Sequence, residues 1–161
     1  MAVRVTSEIG PLRAVLVHTP GAELLGVTPG TRETYLYDDI LDLEGARREH
    51  KHFVAVLDRF CEVHQVRDAL AHVLGMAEVR EKLVGRTLDV VPSDLLAQKL
   101  AKLPVRELVE VLIAGAVEEP GPIAAALNEQ DYMLPPLPNL FFTRDVGFVV
   151  GEHAVIGSMR Y

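Results

Sequence analysis

Asn139, Phe142, Arg144 and Asp145 fall within seven residues of one another, inside the stretch PPLPNLFFTRD that runs from Pro135 to Asp145. An amide, a ring, a guanidinium and a carboxylate so close together can hold a charged ligand. A carboxylate accepts a fork of two N–H donors from a flat cation, and the face of an aromatic ring attracts the same charge. The same residues admit a plainer reading, in which Asp145 and Arg144 tie a polar loop to its own backbone. The run before them sets the local conformation: Pro135, Pro136 and Pro138, three prolines in four residues. Proline fixes φ and removes the backbone donor, so no regular helix or central strand begins before Asn139. A strand pattern then starts at Val146 with Phe148, Val149 and Val150, and resumes from Ala154 to Ile156 after Gly151-Glu152-His153.

The elements that must position this set begin near the N-terminus. Glu8-Ile9-Gly10-Pro11 is a turn, and Leu12 to His18 reads as a buried strand whose apolar run is Ala14 to Val17. Thr19-Pro20-Gly21 ends it. A Gly-, Pro- and Thr-rich loop from Gly26 to Thr31 leads into Thr34-Tyr35-Leu36-Tyr37-Asp38-Asp39-Ile40. There Asp38 or Asp39 either caps a nearby helix start or faces a cation. Ala46 to Phe60 has helical period, with Ala46, His50, Phe53, Leu57 and Phe60 on one stripe. His50 on that stripe reads as a core histidine rather than a catalyst. Cys61 to Val66 reads as a second strand, and strand–helix–strand in this order predicts a parallel βαβ unit. From about Asp68 to Asp131 the pattern turns helical. Ser93 or Asp94 stands at a cap, Leu96, Leu100 and Leu103 share one face, and Pro104 opens a helix that ends at Gly115. Pro120-Gly121-Pro122 precedes a short helix from Ile123 to Asn128.

The 161 residues suit one domain with a modest insertion, and 49% hydrophobic content is enough for a real core. No apolar run is long enough to span a membrane, and the N-terminus lacks a signal-peptide core. A net charge of -7 argues against a nucleic-acid partner, and a single cysteine makes no internal disulfide, which suits the cytoplasm. That cysteine, Cys61, follows a helix and opens a strand with no base beside it, so it does not read as a nucleophile.

PPLPNLFFTRD resembles the PPLPN-x-x-FTRD signature of the arginine deiminases, members of the guanidino-group-modifying (pentein) superfamily. The opening SEIGPLRAVLVHTPG is similar to the family's first strand, and LYDDI to its L-[FY]-D-D-[IV] form. The helical block resembles an insertion that arginine deiminases carry and that the dimethylarginine hydrolases and amidinotransferases lack at this place. The resemblance implies a mixed α/β chain: a partial pentein α/β-propeller, the first blade and part of the next, with an inserted helical bundle. Residues 1–67 and 132–161 would form the core and 68–131 the insertion. It implies that Asp145 is a catalytic-site carboxylate gripping the guanidinium, and that Leu36, Asn139 and Phe142 line the substrate pocket, with Asp39 a further substrate-binding residue. Arg144, inside the motif, would be an internal ion-pair partner of this loop rather than a substrate contact.

The implied reaction is L-arginine plus water giving L-citrulline and ammonia, with no metal and no organic cofactor. A cysteine thiolate, a histidine, a glutamate and a second aspartate carry it in the family, in segments that match nothing here. His18, His52, His64, His72 and His153 match none of the family's catalytic positions. The expectation is a truncated, inactive N-terminal segment of a deiminase-like enzyme. The alternative is a noncatalytic arginine-binding, partner or regulatory module derived from one. Strands near Leu12–His18 and Val146–Ile156 would leave bare edges and apolar faces, which predicts self-association or a complementary chain that brings the thiol.

Overall fold

The structure, a computed structural model, describes residues 4–117 and 132–157. The chain divides into two compact units: Met1–Pro20 with Val27–Val66 and Asn139–Tyr161, and Gly21–Gly26 with Arg67–Pro138. Helices and small sheets are mixed, so the chain is α/β in composition. Each sheet among the described residues has two strands.

In the first unit, β1 (Ala14–Val17) pairs in parallel with β2 (Glu62–Gln65), Ala14 opposite Glu62 and Val17 opposite Gln65. Helix α1 (Leu43–Leu57) makes the crossover, so the βαβ reading holds. Its N-cap is neither Asp38 nor Asp39 but Asp42, whose carboxylate accepts from the Gly45 N–H at 2.8 Å. Asp42 lies one residue ahead of the first helical position, where a short acceptor reaches the N3 amide; Asp38 and Asp39 lie too far upstream. Leu43, Ala46, His50, Val54 and Leu57 form the half-buried stripe of α1, while Phe53 and Phe60 of the expected stripe are exposed. β1 is shorter than expected and only Val17 in it is buried; Leu16 is 47% exposed. A parallel strand shows a continuous apolar run when both its faces are covered, and in the described unit one face of β1 is bare.

The hairpin of β5 (Gly147–Val150) and β6 (His153–Ile156) is antiparallel, turning at Gly151 with φ 60°. A two-residue turn matching strand twist needs such an angle, and glycine adopts it freely. Val146 belongs to no strand. It closes α6 (Thr143–Val146), a single helical turn that takes in Asp145.

The second unit is mainly helical: α2 begins at Val66 (Val66–Leu74), followed by α3 (Ala77–Val90), α4 (Asp94–Lys102) and α5 (Val105–Ala114). Ser93 caps α4 through the Leu96 N–H, and Pro104 stands at the N-cap of α5. Arg80 donates to the carbonyls of Leu100, Ala101 and Leu103, satisfying the end of α4 with a cation where the helix dipole is negative. Gly115 ends α5 with φ 84°, and a Cβ there would sit 2.5 Å from the Leu134 carbonyl oxygen. That close approach lets β3 (Ala116–Val117) and β4 (Tyr132–Leu134) pair antiparallel beside the helix end. The expected helix from Ile123 to Asn128 lies outside the described residues.

The two units differ in their cores. Leu24, Leu74, Leu96, Leu100, Leu108, Val109, Ile113, Ala116 and Leu134 are buried in the helical unit; among described apolar residues of the first, Val17 and Val27 are. The helical unit also buries a charge. Glu23, 1% exposed, accepts from the Gly21 N–H at 2.6 Å and from Arg67 at 2.9 Å, and Arg67 reaches on to the exposed Glu110. A buried carboxylate persists only with such donors around it.

Candidate functional site

The site residues lie in the first unit and are arranged by turns rather than by sheet. The Phe142 N–H donates to the Asn139 carbonyl at 3.0 Å, and the Asp145 N–H to the Phe142 carbonyl at 3.0 Å. Asn139, Phe142 and Asp145 therefore follow at three-residue steps, each one turn past the last. The repeat is legible in the sequence as N-x-x-F-x-x-D, and it is the signal that the strand expectation at Val146 overlooked. Thr143 fixes these turns to the sheet: its hydroxyl donates to the Leu16 carbonyl at 3.0 Å. Asp145 itself is exposed. Phe142 is 48% exposed and packs against the Phe141 ring with centroids 4.0 Å apart. Arg144 pairs with Glu8 at 3.1 Å, so it makes an ion pair, but with the SEIG opening rather than within its own loop.

Leu36 is held by a different device. It is the one non-glycine residue among the described ones with a positive φ, 62°, and its side chain is 73% exposed. The Tyr37 N–H donates to the Arg32 carbonyl at 2.9 Å and the Leu36 N–H to the Glu33 carbonyl at 3.1 Å. These six-to-one and five-to-two bonds make a Schellman turn, with Leu36 at the left-handed position where glycine is usual. Asn139 joins this loop to the turns described above, because its side-chain nitrogen donates to the Tyr35 carbonyl at 2.9 Å. Leu36, Asn139, Phe142 and Asp145 are thus linked by a continuous path of hydrogen bonds and chain. Asp39 is engaged elsewhere: its carboxylate accepts from the Ile40 N–H at 2.7 Å.

The chemistry open to an exposed carboxylate such as Asp145 is binding of a cation, and the linked turns also carry an exposed aromatic and an exposed aliphatic side chain, Phe142 and Leu36. Cys61 is not part of it. Its thiol donates to the Leu57 carbonyl at 3.4 Å, and it precedes β2 at the N-terminal edge of the parallel sheet. Thr143 anchors the site turns further along, at Leu16. Gln65, ending β2, accepts from the amide and hydroxyl of Thr19, both at 3.2 Å, and closes the C-terminal edge. His50 packs edge-on against Phe53 with its Nδ1 buried and without a hydrogen-bond partner. Burial, and then the nearby His18, hold its pKa below the ordinary histidine value. Among the described residues no cluster of three or more metal-ligating side chains occurs, and no helix is long and apolar enough to cross a membrane.

Comparison with known proteins agrees with the motif. The family profile "Arginine deiminase" matches residues 33–161. The arginine deiminase of Rhodococcus opacus (strain B4) is 37% identical over 170 residues, covering 95% of this chain and 42% of the relative. That of Metamycoplasma arthritidis (strain 158L3-1) is 37% identical over 174 residues, covering 99% of this chain and 41% of the relative. That of Lactococcus lactis subsp. cremoris (strain MG1363) is 31% identical over 175 residues, covering 99% and 43%. The chain spans about two fifths of the length of these curated relatives. With a signature stretch folded into one linked set of turns and a family profile covering most of its residues, the chain belongs to the arginine deiminase family.

Proposed function

We propose that this chain supplies the guanidinium-gripping part of an arginine deiminase site, serving the conversion of L-arginine and water to L-citrulline and ammonia. The observation that carries the reading is the placement of Asp145: exposed, one turn past a half-exposed Phe142, on a turn anchored to β1. Its carboxylate has the geometry to accept two N–H groups of a guanidinium, which a lysine-type ammonium does not match. Phe142 offers a ring to the same cation. Leu36 provides an apolar surface for the substrate's aliphatic stem, and Asn139 borders the pocket. Asp39 acts one step removed, by shaping the loop that follows Leu36.

The reaction needs a thiolate to attack the guanidinium carbon, expel ammonia and leave an amidino-enzyme that water then hydrolyses to citrulline. Cys61 does not fill that role, since its sulfur is turned into the end of α1. The nucleophile and its proton-handling partners belong to sequence beyond the two fifths matched here, on the same polypeptide or on a complementary one. In this reading residues 1–67 and 132–161 are the partial pentein propeller, residues 68–131 the inserted helical domain, and the exposed faces of β1, β5 and β6 the surfaces that a further chain or a second copy covers. No metal or organic cofactor enters the scheme. The position of Cys61 also favours a second reading, a noncatalytic arginine-binding or regulatory module.

Calorimetric titration of the 161-residue chain with L-arginine tests the grip. Saturable binding abolished in Asp145→Ala and absent for L-lysine is the expected result; binding unaltered by the substitution overturns it. A colorimetric citrulline assay on the same protein tests what the two readings share: citrulline above blank would show a nucleophile within the chain, against both.

A further inference from the structure

We infer that Asn139 is a positioning residue for Leu36, and that Arg32 is the second half of the same clamp. A leucine at the left-handed position of a Schellman turn is strained, because its Cβ crowds the backbone where glycine has none. Burial does not compensate here, since the side chain stands 73% exposed. Strain kept at an exposed position requires that the surrounding contacts over-determine the conformation. Two such contacts bracket the turn. On one side the Asn139 amide donates to the carbonyl of Tyr35, the residue immediately before Leu36; a carbonyl only accepts, so it is the amide nitrogen that faces it. On the other side the Arg32 guanidinium donates to the carbonyl of Asp38, two residues after Leu36, at 3.0 Å. The Arg32 backbone carbonyl meanwhile receives the Tyr37 N–H, so one residue closes the turn and straps its exit.

The consequence is a division of labour within Asn139. One N–H is committed to Tyr35, and the second N–H and the oxygen remain for a ligand. Loss of the amide therefore acts on a ligand twice, directly and by releasing Leu36. Arg32 acts only through the loop. This rests on the reading of Leu36 as a pocket residue, whereas the clamp itself is testable without any ligand.

The test is amide hydrogen exchange followed residue by residue by NMR on the full chain. Asn139→Asp keeps the shape and loses the donors. It should speed exchange of the Leu36 and Tyr37 amides by about tenfold, the worth of one hydrogen bond, while amides of α1 and β2 keep their rates and so certify the fold. Arg32→Gln should do the same to a smaller degree, and Arg32→Lys should restore part of the protection. The decisive arm repeats Asn139→Asp in a Leu36→Gly background. Glycine holds the left-handed angle unaided, so the acceleration should shrink to less than about threefold. Equal acceleration in both backgrounds, or none in the first, overturns the clamp. If exchange behaves as expected but arginine fails to bind the unsubstituted chain, the clamp stands and the proposed substrate falls.

Discussion

Replacing Leu36 by glycine and, separately, by alanine should invert the usual order of the two residues. In ordinary backbone conformations alanine is the more stabilising by about 0.5–1 kcal/mol, because glycine loses more freedom on folding. Leu36 has φ 62°. A side chain in that region costs about 1–2 kcal/mol, which alanine keeps and glycine releases. Against this release stands glycine's greater unfolded-state freedom, about 0.4–1 kcal/mol. The glycine variant should then be the more stable by about 0.5–1 kcal/mol. Either change removes little packing: with 73% of the leucine exposed, about 0.5 kcal/mol of burial is lost in both. Urea unfolding followed by tyrosine fluorescence suits the measurement, because the chain has no tryptophan and Tyr35 and Tyr37 flank the site. Arginine binding should weaken in both variants. An alanine variant as stable as the glycine one would mean that the turn at Leu36 is not strained, and the argument for its purpose would go with it.

Other perturbations probe different parts of the molecule. Arg67→Met should destabilise the helical unit by about 3–5 kcal/mol by stranding the buried Glu23, and a second change, Glu23→Leu, should recover most of that loss; chemical denaturation of the single and double variants reads both. Acid should weaken the first unit through His50. Its folded-state pKa is lowered, by burial and then by His18, so the unfolded chain binds the extra proton more readily. Stability is therefore full above the unfolded value near pH 6.5 and falls as pH drops through the interval down to the folded pKa. Arg47, one turn earlier on α1, gives its guanidinium to Glu44 and the Pro20 carbonyl. Unfolding midpoints at about pH 7.5 and about pH 5 should differ more for the unsubstituted chain than for His50→Leu.

Much of the scaffold can be read from local pattern, and the reasons are physical. An apolar run between two turns gives β1, a helical period gives α1, and leucines three and four apart give α4 and α5. What escapes is whatever depends on a distant partner or on an unusual residue in a usual place. Glu23 looks like a surface acid because its partner, Arg67, is 44 residues away. Leu36 conceals a helix-ending turn because leucine is not the residue that advertises one. Thr143 to Val146 resembles the start of a strand, since a threonine and a valine favour extended chain, yet the hydroxyl's bond to Leu16 holds a helical turn there. The candidate site was legible as a set of residue types. Its one-turn spacing stood in the sequence as the N-x-x-F-x-x-D repeat, whereas the tie from Asn139 to Tyr35 emerges only in three dimensions.

The Thr143 anchor has a consequence for how the first sheet can grow. The Arg13 carbonyl receives the Glu62 N–H and so points toward β2. Carbonyls along a strand alternate sides, so that of Leu16 points to the opposite, open margin, where the threonine hydroxyl occupies it. Any polypeptide laid alongside that margin must stop short of Leu16 or evict the hydroxyl, and eviction would swing the carboxylate of Asp145 with it. Extension of the sheet and the aim of the acid are mechanically the same event.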